Sequence, residues 1–299
     1  MAIAWVFPGQ GSQKLGMAGA LLDLPDARAR FQEASDLLGR DLLAICAGEG
    51  LEGTGEPHDL NDTRNTQPAL FVIESLLAAA LQAQGRRPDL VAGHSLGELV
   101  ALHAAGVFDF ATGLALMQRR SELMASAGGG AMTAVMGFDR DELERCVADT
   151  EGVVIANDNS SAQVVLSGTP AAVAAVSGSI RCKRAMPLAV SGAFHSPFMA
   201  EAAEAFAATL EPIPFADAAV PVLSNTDPTP TTDGALLKRR LLDQMTTGVR
   251  WRETMDRMAA DGVTTAVEVG PGAVLSGLIR RSCPGIVTAQ VAGSADLGL

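Results

Sequence analysis

Apolar residues along the first half of the chain fall into short runs and helical stripes that alternate. Residues 2–7 (Ala2-Ile3-Ala4-Trp5-Val6-Phe7) form an apolar run of strand length, closed by the Gly-rich loop Pro8-Gly9-Gln10-Gly11-Ser12-Gln13. Residues 21–38 and 67–84 carry helical patterning. Residues 88–92 read as a second short buried strand, followed by helices at 98–105 and 110–125. Alternating strand and helix predicts a parallel sheet covered by helices. Ala127-Gly128-Gly129-Gly130 breaks the alternation and reads as a hinge. Beyond it the spacing predicts a strand at 131–138 and a helix opened by Asp139-Arg140-Asp141-Glu142. Strands at 153–156 and 163–166 then flank a polar turn, Asn157-Asp158-Asn159-Ser160-Ser161. Thr169-Pro170 starts another helix, and residues 183–190 form a last strand. This β-α-β-β-α-β order is ferredoxin-like. The expected organisation is a large α/β domain, residues 1–127 and 191–299, with a small ferredoxin-like domain inserted at 128–190. After the return, strands are expected at 220–225 and 264–269, and helices at 238–245 and 274–281.

Composition narrows the function classes. The 299 residues are 48% apolar, enough for a large core. A net charge of −12, with no Tyr and 4% aromatics, argues against broad nucleic-acid binding and base stacking. Cys46, Cys146, Cys182 and Cys283 show neither C-x-x-C spacing nor paired histidines, so reduced thiols are expected, without a disulfide frame or metal site. The N-terminus lacks a basic leader, and the apolar run at 70–81 is interrupted by Glu74, so no membrane span and a cytoplasmic location are expected.

The chemistry centres on Gly93-His94-Ser95-Leu96-Gly97. A G-x-S-x-G between a strand and a helix is a nucleophile elbow, which makes the large domain hydrolase-like. The Ser95 hydroxyl needs a base. Of four histidines, His94 sits in the turn with its side chain expected to point elsewhere, His103 lies about two turns along the next helix, and His58 reads as surface. His195, in Ser191-Gly192-Ala193-Phe194-His195-Ser196, follows a strand end and is the favoured base. No acid stands out to orient it, and a backbone carbonyl would serve. Two N–H donors for an oxyanion are expected from Leu96, after the nucleophile, and from Gln10 in the Gly-rich loop.

Phe7-Pro8-Gly9-Gln10-Gly11-Ser12-Gln13, Thr66-Gln67-Pro68-Ala69, Gly93-His94-Ser95-Leu96-Gly97-Glu98, Gly192-Ala193-Phe194-His195-Ser196 and Glu268-Val269-Gly270-Pro271-Gly272 occur in an order that resembles malonyl-CoA:acyl carrier protein transacylases over essentially the whole chain. The resemblance implies Ser95 as nucleophile, His195 as base, and Gln10 and Leu96 as oxyanion donors. It implies Arg120 as the group that binds the malonyl carboxylate, with spacing from Ser95 favouring it over Arg119. Gln67 and Phe194 would line the site, and the backbone at Arg250 would orient the histidine. A guanidinium clamps a carboxylate through two charge-assisted bonds, and an acetyl group would leave that charge unpaired. Malonyl-CoA and phosphopantetheinylated acyl carrier protein are then the implied partners, with no bound cofactor. Arg181, Lys183, Arg184, Arg280 and Arg281 are candidates for meeting an acidic carrier. A serine hydrolase or thioesterase, a malonate-decarboxylase acyltransferase subunit and a non-catalytic carrier-binding module are the competing readings.

Overall fold

A computed structural model describes residues 2–49, 59–190 and 192–298; His58 and Ser191 lie outside the described residues. Strand β1 (Ala2–Phe7) is followed by α1 (Ala27–Leu38) and α2 (Leu42–Ala47). The helix expected from residue 21 begins only at Ala27, because Pro25 precedes Asp26, which sits in the left-handed region at φ 61°. Helix α3 (Thr63–Ala83) starts ahead of the expected position, with the Asp62 side chain accepting from the Arg64 N–H. Pro68 lies inside α3 and cannot donate to the Arg64 carbonyl; the Arg40 guanidinium does so instead at 2.8 Å. Helix α3 is long and apolar enough to cross a membrane, but 78% of its apolar window is buried against the rest of the fold. Strand β2 (Leu90–Gly93), α4 (Gly97–Ala104) and α5 (Phe110–Ser126) complete the first half.

The next elements are β3 (Ala131–Phe138), α6 (Arg140–Ala148), β4 (Val153–Ser160), β5 (Gln163–Gly168), α7 (Pro170–Ser179) and β6 (Cys182–Pro187). They form an antiparallel sheet of order β4-β5-β3-β6. Asn157, Asp158 and Asn159, expected in a turn, belong to β4. The polar groups of Asp158 and Asn159 are used across the boundary between the two units. Asp158 donates its N–H to the Val249 carbonyl at 2.9 Å, and its carboxylate pairs with Arg140 and Arg252. The last strand stops at Pro187, short of the expected end, so Leu188 and Val190 turn instead toward a cavity at Ser95. The Ala127–Gly130 crossing is packed rather than open: a Cβ at Gly130 would lie 2.2 Å from the Ala193 nitrogen.

The chain then forms α8 (Ala200–Leu210), β7 (Val222–Leu223), α9 (Gly234–Asp243), α10 (Trp251–Ala260), β8 (Val263–Val269), α11 (Val274–Ser282) and β9 (Val287–Val291). Strand β7 is two residues long, against the six expected at 220–225. The large sheet has order β7-β2-β1-β8-β9, every pairing parallel. The mixed architecture is therefore a parallel α/β unit carrying a small ferredoxin-like one. Buried Val91, Leu99, Val100 and Leu102 pack between β2, α4 and the flanking helices. This packing fixes the carboxyl ends of β1 and β2 side by side.

Candidate active site

Ser95 stands between β2 and α4 with φ 55°, in the left-handed region that disfavours a side chain. The turn tolerates nothing larger than glycine at either flank. A Cβ on Gly93 would lie 1.9 Å from the Gly97 oxygen, and one on Gly97 would lie 2.2 Å from the Phe7 oxygen. Asn225, just past β7, clamps the turn from below: its Oδ1 accepts from the Ser95 N–H at 2.7 Å and its Nδ2 donates to the Gly93 carbonyl at 2.5 Å.

His195 reaches the same place from the loop after the inserted unit, also at φ 55°. Ser196 braces that loop by donating to the Ala193 carbonyl at 2.5 Å. The imidazole is 3% exposed. Its Nδ1 lies 2.9 Å from the Gln244 carbonyl and its Nε2 2.7 Å from Ser95 Oγ. A carbonyl only accepts, so Nδ1 carries the proton and Nε2 takes the Ser95 hydroxyl proton. Burial, reinforced by the nearby Arg120 cation, holds the imidazole down to about 3. At neutral pH it is an uncharged acceptor.

Arg120 on α5 is fully buried, whereas Arg119 faces outward beside Glu122 at 3.8 Å. Its Nη1 donates to Gln67 Oε1 at 2.7 Å, and its Nη2 to Gln244 Oε1 at 2.8 Å and Ser95 Oγ at 3.2 Å. Burial pushes the guanidinium down to about 10, so it stays cationic near neutral pH. Its Nε has no partner among the described residues. Gln67, Met124, Met132, Leu188, Val190 and Phe194 wall a cavity of about 80 Å³ beside Ser95 and His195. Gln10 and Leu96 border this cavity, and their backbone N–H groups donate to no protein acceptor among the described residues.

The structure thus brings together Ser95, His195, Gln10, Leu96, Arg120, Gln67 and Phe194. Arg250 stands apart from this group. It caps α10, so its carbonyl accepts from the Thr254 N–H at 3.0 Å, and its guanidinium pairs with Glu253. The carbonyl facing His195 belongs to Gln244, just past α9. His94 is half-buried with Nε2 2.8 Å from Asn159 Oδ1 of β4, and its ring meets Trp251 edge-on. His103 packs among Phe71, Phe108 and Phe110 with Nδ1 3.1 Å from the Phe108 carbonyl, satisfied and remote from the site.

Three residues at the site's base escaped sequence reasoning: Glu98, Asn225 and Gln244. Glu98 and Asn225 left a positional signal; Gln244, which acts through its backbone carbonyl, left none. Glu98 is a carboxylate opening an otherwise apolar helix, and Asn225 lies at the carboxyl end of a sheet strand, where such α/β folds place functional groups.

A left-handed serine at a strand–helix turn, bonded to a neutral histidine, defines a serine-dependent acyl-transfer enzyme of the α/β class. The chain belongs to the acyl transferase domain family, whose model matches residues 4–296. It is 52% identical over 99% of both chains to a malonyl CoA-acyl carrier protein transacylase from Synechocystis sp. PCC 6803. The crystal structure of the Synechocystis malonyl-CoA:ACP transacylase superposes with a TM-score of 0.94 at 51% identity, covering 100% of this chain and 99% of the other. A malonyl-transacylase in complex with its type II polyketide synthase acyl-carrier protein gives 0.91 at 38% identity, covering 99% and 98%.

Proposed function

We propose that this protein moves the malonyl group from malonyl-CoA to the phosphopantetheine thiol of acyl carrier protein through a malonyl ester on Ser95. One observation carries the reading: a single oxygen, Ser95 Oγ, is shared between His195 Nε2 at 2.7 Å and Arg120 Nη2 at 3.2 Å. A nucleophile, its base and a buried cation for a second carboxylate therefore converge on one atom.

In the first half-reaction His195 takes the hydroxyl proton as Ser95 Oγ bonds to the thioester carbon. The oxyanion settles on the Gln10 and Leu96 N–H groups, a reading supported by both residues lining the cavity beside Ser95. The carbon–sulfur bond breaks, CoA takes the proton from His195, and the ester remains. In the second half-reaction the carrier thiol gives its proton to His195 and attacks the ester, and Ser95 recovers the proton. The Gln244 carbonyl holds the imidazole tautomer throughout, the task an acid performs in many serine enzymes. Arg120 grips the malonyl carboxylate, with Gln67 and Gln244 fixing the plane of the guanidinium. The reading needs no cofactor and a cytoplasmic supply of both partners.

Intact mass after brief mixing with malonyl-CoA tests the reading. A malonyl adduct on the native protein, absent from Ser95→Ala and discharged by phosphopantetheinylated carrier protein, is the expected result. CoA release without an adduct would make the protein a hydrolase instead. Docking is a separate question. Arg184 on the exposed edge strand β6 and Arg281 at the end of α11 are both solvent-exposed. Reversing both to Glu is expected to slow discharge to the carrier while sparing loading from malonyl-CoA; equal loss in both steps would exclude this docking face.

A further inference from the structure

Arg120 is a cation taken entirely out of water, with no carboxylate within ion-pair distance among the described residues. An isolated buried charge is costly, so some opposite charge must offset it. The acidic group coupled to it is Glu98, in the first turn of α4 beneath the nucleophile; burial raises the Glu98 carboxyl, and the Gln244 amide, the Asn225 N–H and the Arg120 cation oppose that rise. Glu98 is also fully buried. Its Oε2 accepts from the Asn225 N–H at 3.0 Å and from Gln244 Nε2 at 2.8 Å. The same Gln244 amide turns its Oε1 to Arg120 Nη2. The amide's orientation is settled by its partners: the nitrogen faces the acceptors Glu98 and the Ser95 carbonyl (2.9 Å), and the oxygen faces a donor. Glu98, Gln244 and Arg120 thus form one polarised line running from the floor of the elbow to the acyl cavity.

We propose that Glu98 is the buried counter-charge of Arg120 and, through the Gln244 amide, a positioning residue that sets how strongly the site prefers an acyl group bearing a carboxylate. With Glu98 ionised, the empty site is neutral and a malonyl carboxylate makes it net negative. Without that charge, the empty site is cationic and the carboxylate neutralises it. Glu98 therefore moderates the grip on the malonyl group while making a buried arginine tolerable in the substrate-free protein.

The preference depends on the transacylase reading; the charge pairing does not, so two measurements separate them. Glu98→Gln keeps an acceptor toward Asn225 and Gln244 and removes the charge, its amide nitrogen taking the place of Oε1, which has no partner among the described residues. It is expected to raise the malonyl-over-acetyl ratio of kcat/KM for acyl-enzyme formation about tenfold, chiefly through a lower KM for malonyl-CoA. An unchanged ratio, or equal loss for both donors, would overturn the specificity role. The second measurement is a thermal cycle with Glu98→Gln, Arg120→Met and the double variant, read by circular dichroism. Each single variant is expected to lower Tm, and the double to recover more than half of the summed loss. Losses that simply add, or a double variant no more soluble than the singles, would show that the two residues do not compensate each other. Failure of the native protein to form any acyl-serine would remove the transacylase reading and leave the thermal cycle fully interpretable.

Discussion

His195 reports on its own surroundings through pH. Its folded-state value is about 3, against about 6.5 for an unfolded histidine. Acyl-enzyme formation should therefore run without an inflection near pH 6.5, and a stopped-flow profile from pH 5 to 8 checks this; a bell limb centred there would mean the imidazole is not held neutral. The same shift makes stability fall as pH drops from about 6.5 toward 3, because over that range the unfolded chain takes up a proton that the native imidazole refuses. Arg120→Ala should reduce malonyl loading at least a hundredfold more than acetyl loading, given two buried charge-assisted bonds of roughly 1.5–3 kcal/mol each. Glu74 in α3 behaves oppositely to His195. It is buried, neither carboxyl oxygen has a partner among the described residues, and burial with the Glu268 charge raises it well above the ordinary range. Stability should thus decline as pH rises from about 4.5 toward its native value. Glu74→Gln should remove that slope of up to about 1.4 kcal/mol per pH unit in urea titrations. Ser95 and His195 were legible because reactive side chains sit in recognisable local settings. The Gln244 carbonyl was not, since every residue has one, and only the path of the chain decides which faces the imidazole.

At the scale of elements, the turn at Ser95 is held by geometry that substitution can probe. Gly93→Ala should abolish soluble expression, because its Cβ would overlap the Gly97 carbonyl inside the same turn. Asn225→Ala frees the Gly93 carbonyl and the Ser95 N–H in a buried place, which should cost about 2–4 kcal/mol and lower kcat more than it changes KM. Chemical denaturation and steady-state loading assays check both. The periodic elements of the first half were readable because their apolar faces meet a core. Strand β4 was misread at its end because Asp158 and Asn159 are polar for a tertiary reason, their side chains being paired with Arg252 and His94 of the other unit. Pattern rules assign polarity to solvent and miss polarity spent on an internal seam. Strand β7 shrank to two residues for a related reason: the chain there leaves the ladder at once, so that Asn225 can turn under the elbow.

For the whole molecule, that seam is expected to govern the lifetime of the acyl ester. Asp158 ties the small sheet to α10 through Arg252 and to α6 through Arg140. Its neighbour Asn157 borders the cavity beside Ser95. Asp158→Ala should loosen the seam, admit water and shorten the lifetime of the malonyl ester several-fold in mass-spectrometric time courses, with loading itself little changed. The two-unit order was legible from the switch in element pattern after residue 126, whereas the fit between the units was not, since it resides in side chains that neither unit needs for its own core. The order of the large sheet also shapes how the protein comes off the ribosome. Strand β1 is translated before every other strand of its sheet, yet one of its two neighbours, β8 (Val263–Val269), follows both β2 and β7. Until β8 is made, one edge of an apolar strand is left open, and a product cut short after Asp261 is expected to keep that edge exposed and aggregate rather than fold.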